Sequence, residues 1–279
     1  MNGNARTLGN RVFLYGLLLI VLLWTLVPVI WMVLSSFKSL PDVLSTTPLL
    51  AFEPTLSNYI SLVSGGNSLT TYFRSSILAA GISTIIATTL GCFAGYGLAR
   101  VNMRGKHHLA FWIISTRMAP IAAVILPLYV GFTFLHLINS IWGLIIAYLS
   151  FNLPFAIWIM NAFFADLPKG MEEAAMVDGA TRFQTFWRVA LPLTTPGIVT
   201  TAILCLVFSW NDYAFAVTFT GPGSQTLPVA ASQLITQTGV NWGQLTAIGT
   251  VVALPMVIVG LAVRRYLVKG LTLGAVTGE

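Results

Sequence analysis

The tripeptide Trp210-Asn211-Asp212 groups three side chains that together suit the binding of a polyhydroxylated solute. An indole face can pack on a sugar ring, while an amide and a carboxylate exchange hydrogen bonds with hydroxyl groups. A carboxylate inside an apolar run needs a compensating partner. Asp212 therefore either lines a solute pathway or forms an ion pair within the protein, and both alternatives stay open.

Two further polar residues interrupt apolar stretches. A charge at the position of Arg117 must face protein or water, because exposure to hydrocarbon would be costly. We expect Arg117 either to line the same pathway or to bond the backbone carbonyls freed near Pro120. Asn152, two residues before Pro154, has the same two alternatives.

The sequence lacks the groups that catalysis requires. Its only Gly-Lys dipeptide, Gly105-Lys106, is not part of a glycine-rich phosphate-binding loop, so we do not expect this chain to hydrolyse ATP. The histidines His107, His108 and His136 do not have the spacing of metal ligands, and there is no Gly-x-Ser-x-Gly nucleophile elbow. We therefore predict a protein that is not an enzyme and that binds no metal or cofactor itself.

The composition is that of a membrane protein. Of the 279 residues, 56% are hydrophobic and only 8% are charged, and the mean hydropathy is +0.84. Six apolar stretches are long enough to span a bilayer. We predict an all-α polytopic protein with six transmembrane helices in a single transmembrane domain, residues 1–279. The expected spans are Val12 to Ser35, Phe73 to Ala99, Leu109 to Leu135, Ile141 to Phe164, Gly197 to Phe219 and Leu245 to Val268.

The basic residues predict the orientation of these spans. Most of the 14 Lys and Arg residues fall on one side if the N-terminus, with Arg6 and Arg11, is cytoplasmic, whereas Lys38 and Arg74 then lie outside. By the positive-inside rule, both termini are cytoplasmic. Because the cations flank the spans and do not form one soluble face, the expected partner is the lipid bilayer and not nucleic acid.

A more polar cytoplasmic loop, residues 165–195, separates the fourth and fifth spans. Asp166 and Pro168 predict the start of a short helix, and Gly179 predicts its end at a positive φ. A second short helix is expected from Thr181 to Leu191, where Pro192 limits its continuation.

Helices this short need a packing partner, which is either the rest of the chain or a cytoplasmic subunit. Two helical faces could supply the contact: Met171, Ala174, Ala175 and Asp178 on one, and Phe183, Phe186, Trp187 and Ala190 on the other.

Three motifs in this loop, Glu173-Ala174-Ala175, Asp178-Gly179-Ala180 and Leu191-Pro192, resemble the EAA loop of inner-membrane permease subunits of binding-protein-dependent ABC importers. In that family the loop is the coupling helix that seats in a groove of the ATPase subunit. The resemblance implies that the ATPase-coupling residues are Glu172, Glu173, Ala174, Ala175, Asp178, Gly179 and Ala180.

Motifs elsewhere resemble carbohydrate-type permeases of the smaller, maltose-permease-like kind. They are Arg117-Met118-Ala119-Pro120, Trp210-Asn211-Asp212, Thr226-Leu227-Pro228-Val229 and Arg264-Arg265-Tyr266-Leu267-Val268-Lys269-Gly270. The resemblance implies a subunit in the bacterial inner membrane that imports a sugar or sugar-like solute by alternating access. It also implies a second homologous permease, two ATPase subunits that bind ATP and Mg²⁺, and an extracytoplasmic solute-binding protein.

A hydrophilic excursion from Thr220 to Gly243 is expected on the outer side. In the related permease the equivalent loop reaches into the binding protein's sugar cleft, which implies contacts from Gln225, Thr226, Gln233 and Leu234. The alternative is a solvated connector. The whole chain has two alternative functions: a self-sufficient secondary carrier, which would commonly show two repeated halves, and an integral membrane enzyme, which would require a catalytic cluster.

Overall fold

The computed structural model describes residues 3–47, 50–64, 69–237 and 239–273. In chain order the helices are α1 (Gly3–Ser36), α2 (Leu40–Val43), α3 (Ser57–Ser64), α4 (Leu69–Arg100), α5 (Lys106–Ser115), α6 (Ile121–Phe134), α7 (Ile141–Asp166), α8 (Lys169–Val177), α9 (Arg182–Thr185), α10 (Leu191–Leu193), α11 (Thr195–Trp210), α12 (Ala214–Phe219), α13 (Leu227–Gln233) and α14 (Trp242–Leu273). A 3₁₀ turn, Thr116–Met118, follows α5, and a π-helical turn, Phe186–Ala190, joins α9 to α10. Strands β1 (Ile235–Thr236) and β2 (Gly239–Val240) form an antiparallel hairpin.

Four stretches of helix are long and apolar enough to cross a membrane: Asn10–Ser36, Leu69–Arg100, Ile141–Asp166 and Trp242–Ala262. Two bent helix pairs also qualify if each pair is one span, which allows up to 6 spans in the described residues. The prediction of a helical, multi-spanning membrane protein is confirmed. The count of six spans, the single domain and the cytoplasmic termini stay predictions.

The stretch predicted as one span from Leu109 to Leu135 is bent. The helical segments Lys106–Met118 and Ile121–Phe134 meet at 88°. The break lies at Ala119, whose ψ of 137° is extended, and at Pro120. A residue that precedes proline is disfavoured in the α conformation, which explains the position of the bend.

The stretch predicted as one span from Gly197 to Phe219 is also interrupted, because α11 ends at Trp210 and a new short helix, α12, begins at Ala214. Asp212 explains the restart, since its Oδ2 accepts hydrogen bonds from the backbone N–H groups of Phe215 and Ala216, each at 3.1 Å. The predicted hydrophilic excursion from Thr220 to Gly243 likewise contains regular structure, namely α13 and the hairpin.

The described contacts divide the chain into two compact units. The larger unit contains residues 67–230 and the chain from Leu254 onward. Its centre is the pair α4 and α7, which approach each other closely at two glycines of α4. A Cβ atom added to Gly91 would lie 2.7 Å from the Cβ of Ala156. A Cβ atom added to Gly95 would lie 2.7 Å from the backbone nitrogen of Asn161. Small residues one turn apart let membrane helices pack backbone to backbone.

The smaller unit contains the chain up to Gly66 and residues 231–253. The end of α1 is held by α3 through two side chains. Ser36 Oγ lies 2.7 Å from the hydroxyl of Tyr59, and Asn58 Nδ2 donates to the carbonyls of Ser36 and Lys38, each at 2.9 Å. These bonds satisfy carbonyl groups that the helix terminus leaves without intrahelical partners.

Candidate functional site

The helix pair expected within residues 165–195 is present. Helix α8 ends before Gly179, whose φ of 88° confirms the predicted left-handed turn. Thr181 then caps α9 with a capping box, in which Thr181 Oγ1 accepts from the N–H of Gln184 at 3.3 Å and Gln184 Oε1 accepts from the N–H of Thr181 at 2.9 Å. The turn is therefore specified by local chemistry on both sides.

Two details of this prediction were wrong. Asp166 is the last residue of α7 and does not cap α8, which begins at Lys169 after Pro168. The second helix does not stop before Pro192 but continues to Leu193. The π-helical turn before α10 changes the hydrogen-bond register, and proline is tolerated in the first turn of the helix that follows.

Glu172 anchors α8 to the end of α4, a contact that we call the Arg100–Glu172 clamp. Arg100 Nε and Nη2 donate to Glu172 Oε1 at 2.8 and 2.6 Å, and the hydroxyl of Tyr96 donates to Glu172 Oε2 at 3.0 Å. Arg100 Nη2 also donates to the carbonyl of Leu167 at 3.0 Å. The clamp thus ties α4 to both the helix α8 and the backbone that precedes it.

The clamp is well shielded from solvent, with side-chain exposures of 13% for Arg100 and 6% for Glu172. It is the one ion pair among the described residues. If one member were removed, the other would remain as a buried, unpaired charge, which lowers the stability of other proteins by about 3–5 kcal/mol. The two residues therefore hold each other in place.

An aromatic cluster packs the second half of the segment of residues 165–195 against α4 and α7. The ring of Phe186 lies 4.8 Å from that of Tyr96 and 6.1 Å from that of Phe164. Ala190 is fully buried beside this cluster. Because Tyr96 belongs to both the cluster and the clamp, the two halves of the segment share one support.

The opposite side of the segment is exposed and partly apolar. Val177 is 87% exposed and Phe183 is 66% exposed, and Met171 and Trp187 are also exposed. Of the predicted coupling residues, Glu173 and Ala174 are exposed, as are Asp178 and Gly179, whereas Ala175 and Ala180 are half-buried. Glu172 alone is buried. The side of the segment that carries Glu172 and Phe186 therefore packs against the chain itself. The described residues do not cover the other side.

The larger unit also contains a cavity of about 450 Å³. It lies between the bend after α5, the middle of α7 and the interruption after α11. Its polar lining consists of Thr116, Arg117, Ser150 and Asp212, and its apolar lining consists of Ala119, Ile121, Val124, Phe151, Phe208 and Phe215. A cation, an anion, hydroxyl groups and ring faces thus surround one space.

Arg117 is held by rings and not by an ion pair. Its Cζ lies 4.3 Å from the ring centroid of Phe155 and 4.2 Å from that of Phe208. Aromatic faces attract a guanidinium but accept no conventional hydrogen bonds from its N–H groups. No described hydrogen bond uses these groups, so they can serve a solute in the cavity.

Asp212 lines the same cavity. One carboxylate oxygen, Oδ2, is occupied by the start of α12. The buried hydroxyl of Tyr148 lies near the carboxylate without reaching hydrogen-bond geometry. Since no described cation pairs with Asp212, the alternative of an internal ion pair finds no support in this part of the chain.

The other predicted pathway residues lie outside the cavity lining. Trp210 is 4% exposed and meets Phe73 edge-on at 6.2 Å. Asn152 is fully buried, and its Nδ2 donates to Ser209 Oγ at 2.7 Å. Asn211 is exposed and donates to the carbonyl of Val207 at 2.8 Å. In this conformation Trp210 and Asn152 pack the helices, and only Arg117 and Asp212 of the five face the cavity.

Sequence reasoning missed the rings that hold Arg117. The sequence did contain a signal for Phe208. It lies four residues before Asp212, and side chains at this spacing in a helix lie on the same side. For Phe155 we find no comparable signal, because nothing in its local sequence distinguishes it from the other apolar residues of the same helix.

The residues expected to contact a binding protein differ in exposure. Gln233 is exposed, and Gln225 and Leu234 are half-buried. Thr226 is only 2% exposed and precedes Leu227, whose N–H donates to Ser76 Oγ at 2.9 Å. The side chain of Thr226 is therefore not on the surface that a binding protein would meet.

Residues 87–273 match the family of binding-protein-dependent transport system inner membrane components. This match contains the clamp, the segment of residues 165–195 and both charged residues of the cavity. The chain belongs to this family. It is accordingly a permease subunit of an ABC importer and a multi-pass protein of the inner membrane, and the predicted EAA motif is a property of the family.

Individual relatives match nearly the whole chain. The trehalose/maltose transport system permease protein of Thermococcus litoralis is 32% identical over 91% of this chain and 92% of its own length. The diacetylchitobiose uptake system permease protein of Streptomyces coelicolor is 29% identical over 98% of this chain and 99% of its own length.

Among solved structures, a chain of a bacterial ABC transporter involved in the import of the acidic polysaccharide alginate has a TM-score of 0.79. Its sequence identity is 24%, and the match covers 95% of this chain and 98% of that chain. At this identity the likeness supports the permease fold alone.

We predict that removing one member of the clamp destabilises the permease more than removing both. Arg100→Met leaves a buried carboxylate and Glu172→Gln leaves a buried guanidinium, so each is expected to lower the free energy of unfolding by about 3–5 kcal/mol. The double variant should lose clearly less than the sum of the two. Thermal unfolding of the purified complex, with the exposed Glu173→Gln as control, measures the difference. Additive losses would contradict a coupled clamp.

Proposed function

We propose that this permease forms half of the pathway for a sugar and that ATP hydrolysis in partner subunits drives the import. The observation that carries the proposal is the cavity lined by Arg117 and Asp212. A sugar offers hydroxyl groups that both donate and accept hydrogen bonds, together with apolar ring faces. The cavity offers charged donors, charged acceptors, hydroxyl groups and phenyl faces within one space.

The relatives support a sugar as the solute. One is described as a permease for trehalose and maltose and another as a permease for diacetylchitobiose. Both are nearly collinear with this chain. A neutral oligosaccharide also matches the balance of one cation and one anion in the cavity lining, since either charge alone would favour an ionic solute.

The segment of residues 165–195, which we call the coupling segment, supports the ATPase partnership. Its buried side is fixed by the Arg100–Glu172 clamp, and its exposed side carries apolar side chains that include Met171, Val177 and Phe183. Apolar side chains exposed beside polar ones are typical of a docking surface. We propose that an ATPase subunit covers this side and that ATP and Mg²⁺ bind to that partner.

The complete importer would contain a second homologous permease, two ATPase subunits and an extracytoplasmic solute-binding protein. The family description already names dependence on a binding protein. Helix α1 is exposed along Val12 to Trp31, which suits contact with lipid or with the second permease. Gln233 is the exposed polar residue of the four expected to meet the binding protein.

Reconstitution tests this proposal. The permease should copurify with an ATPase and a second permease, and liposomes with the complete complex should import trehalose, maltose or diacetylchitobiose only with the binding protein and internal ATP. A catalytically inactive ATPase serves as the control. Transport by the lone chain would identify a self-sufficient carrier, and a complex that imports none of the three sugars would contradict the proposed solute.

Variants of the cavity test its role. We expect Arg117→Gln and Asp212→Asn each to raise the KM for sugar uptake about tenfold, which corresponds to the loss of one charged hydrogen bond. Asn retains an oxygen that can cap α12, so Asp212→Asn should assemble normally. Arg74→Gln, at an exposed arginine outside the cavity, should leave KM unchanged. Wild-type kinetics in both cavity variants would exclude the cavity from the pathway.

A further inference from the structure

A second polar pocket lies entirely within the smaller unit. It has a volume of about 490 Å³ and is formed by the end of α1, the chain from α2 to Thr47 and the start of α14. It shares no lining residue with the cavity of Arg117 and Asp212. None of the sequence motifs described above includes a residue of this pocket.

Lys38 is the unusual residue of this pocket. The side chain is 1% exposed, and its Nζ lies 4.1 Å from the ring centroid of Trp31 and 5.1 Å from that of Phe52. The ring faces stabilise the ammonium charge but accept no conventional hydrogen bond from it. The described residues supply no ion pair or hydrogen bond to Nζ, so a buried triple donor faces the pocket without an oxygen acceptor.

The other lining residues restrict the chemical class of ligand that could supply this acceptor. Asp42 lines the pocket and accepts a hydrogen bond from Ser39 Oγ at 2.6 Å. Its charge disfavours an anion, just as Lys38 disfavours a cation. Trp31 and Trp242 contribute indole groups, and hydroxyl groups come from Ser35, Ser45, Thr46, Thr47 and Thr246.

We propose that this pocket is a second saccharide site of the permease. The inference rests on the proposed function, because it takes the transported solute to be a sugar. A neutral polyol satisfies each feature together: its oxygens accept from Lys38, its hydroxyl groups donate to Asp42, and its ring faces pack against indole. If Lys38 lies on the outer side, as the charge pattern predicts, the site would receive sugar before it reaches the cavity.

Site-directed alkylation tests the proposal at the pocket itself. Thr46 is exposed in the pocket lining, whereas the natural Cys92 and Cys205 are buried. In the assembled complex without binding protein, a Thr46→Cys variant is treated with N-ethylmaleimide, with and without the trehalose, maltose or diacetylchitobiose that the complex imports. At a sugar concentration about twice the Kd, mass action predicts that alkylation becomes about threefold slower.

Two further variants make the result specific. Lys38→Met, which keeps an apolar stem against Trp31, should abolish the protection, and so should Asp42→Asn if the methionine variant fails to assemble. A Ser57→Cys variant, exposed in the same unit but outside the lining, should react at the same rate with and without sugar. The protection should persist in Asp212→Asn, where the other cavity is impaired.

The experiments distinguish the absence of a second saccharide site from the absence of sugar transport. If the complex imports one of the sugars but the sugar leaves alkylation of Thr46→Cys unchanged, the second site is overturned and the sugar pathway stands. Protection that survives Lys38→Met would also overturn it, as would protection that survives Asp42→Asn where the methionine variant does not assemble. If no sugar is imported, the proposed function has failed first.

Discussion

The Arg100–Glu172 clamp is the contact on which the proposed coupling to an ATPase depends. It joins the last turn of α4 to the first turn of α8, and Tyr96 extends the same support to the aromatic cluster around Phe186. Since α4 also packs closely on α7 at Gly91 and Gly95, force applied to α8 reaches two long membrane helices through buried, well-packed contacts. If α8 were connected to the rest of the protein only through its flanking backbone, it could move without displacing α4 and α7.

Interrupted helices place the polar groups of the cavity. The bend at Pro120 turns the chain just after Arg117, and the restart of helix at Ala214 is fixed by Asp212 itself. Backbone breaks at membrane depth are tolerated where they are buried in protein or line a polar space, and both breaks meet at this cavity. The same residues therefore interrupt the helices and supply the charges, which explains why the cavity combines irregular backbone with an otherwise apolar environment.

Sequence reasoning predicted the features that local chemistry determines. Gly179 identified the turn of the coupling segment, Thr181 was correctly expected near the start of its second helix, and the apolar stretches identified the membrane helices. It failed where long-range packing decides. Glu172 and Glu173 are adjacent and chemically alike, and only the approach of Arg100 from α4 makes one buried and the other exposed. Trp210 was expected beside the solute for its chemistry, but its side chain is buried among the helices and meets Phe73 edge-on.

The most direct test of the central claim is whether α8 moves together with α4 during transport. Spin labels at the exposed positions Lys169 in α8 and Leu90 in α4, with Cys92 and Cys205 replaced by alanine, report the distance between the two helices by double electron–electron resonance. If the clamp makes them one body, the distance distribution stays the same in the nucleotide-free complex and in the complex with ATP and binding protein, and Arg100→Met broadens it. A distance that shifts between the two states with the clamp intact would contradict the claim.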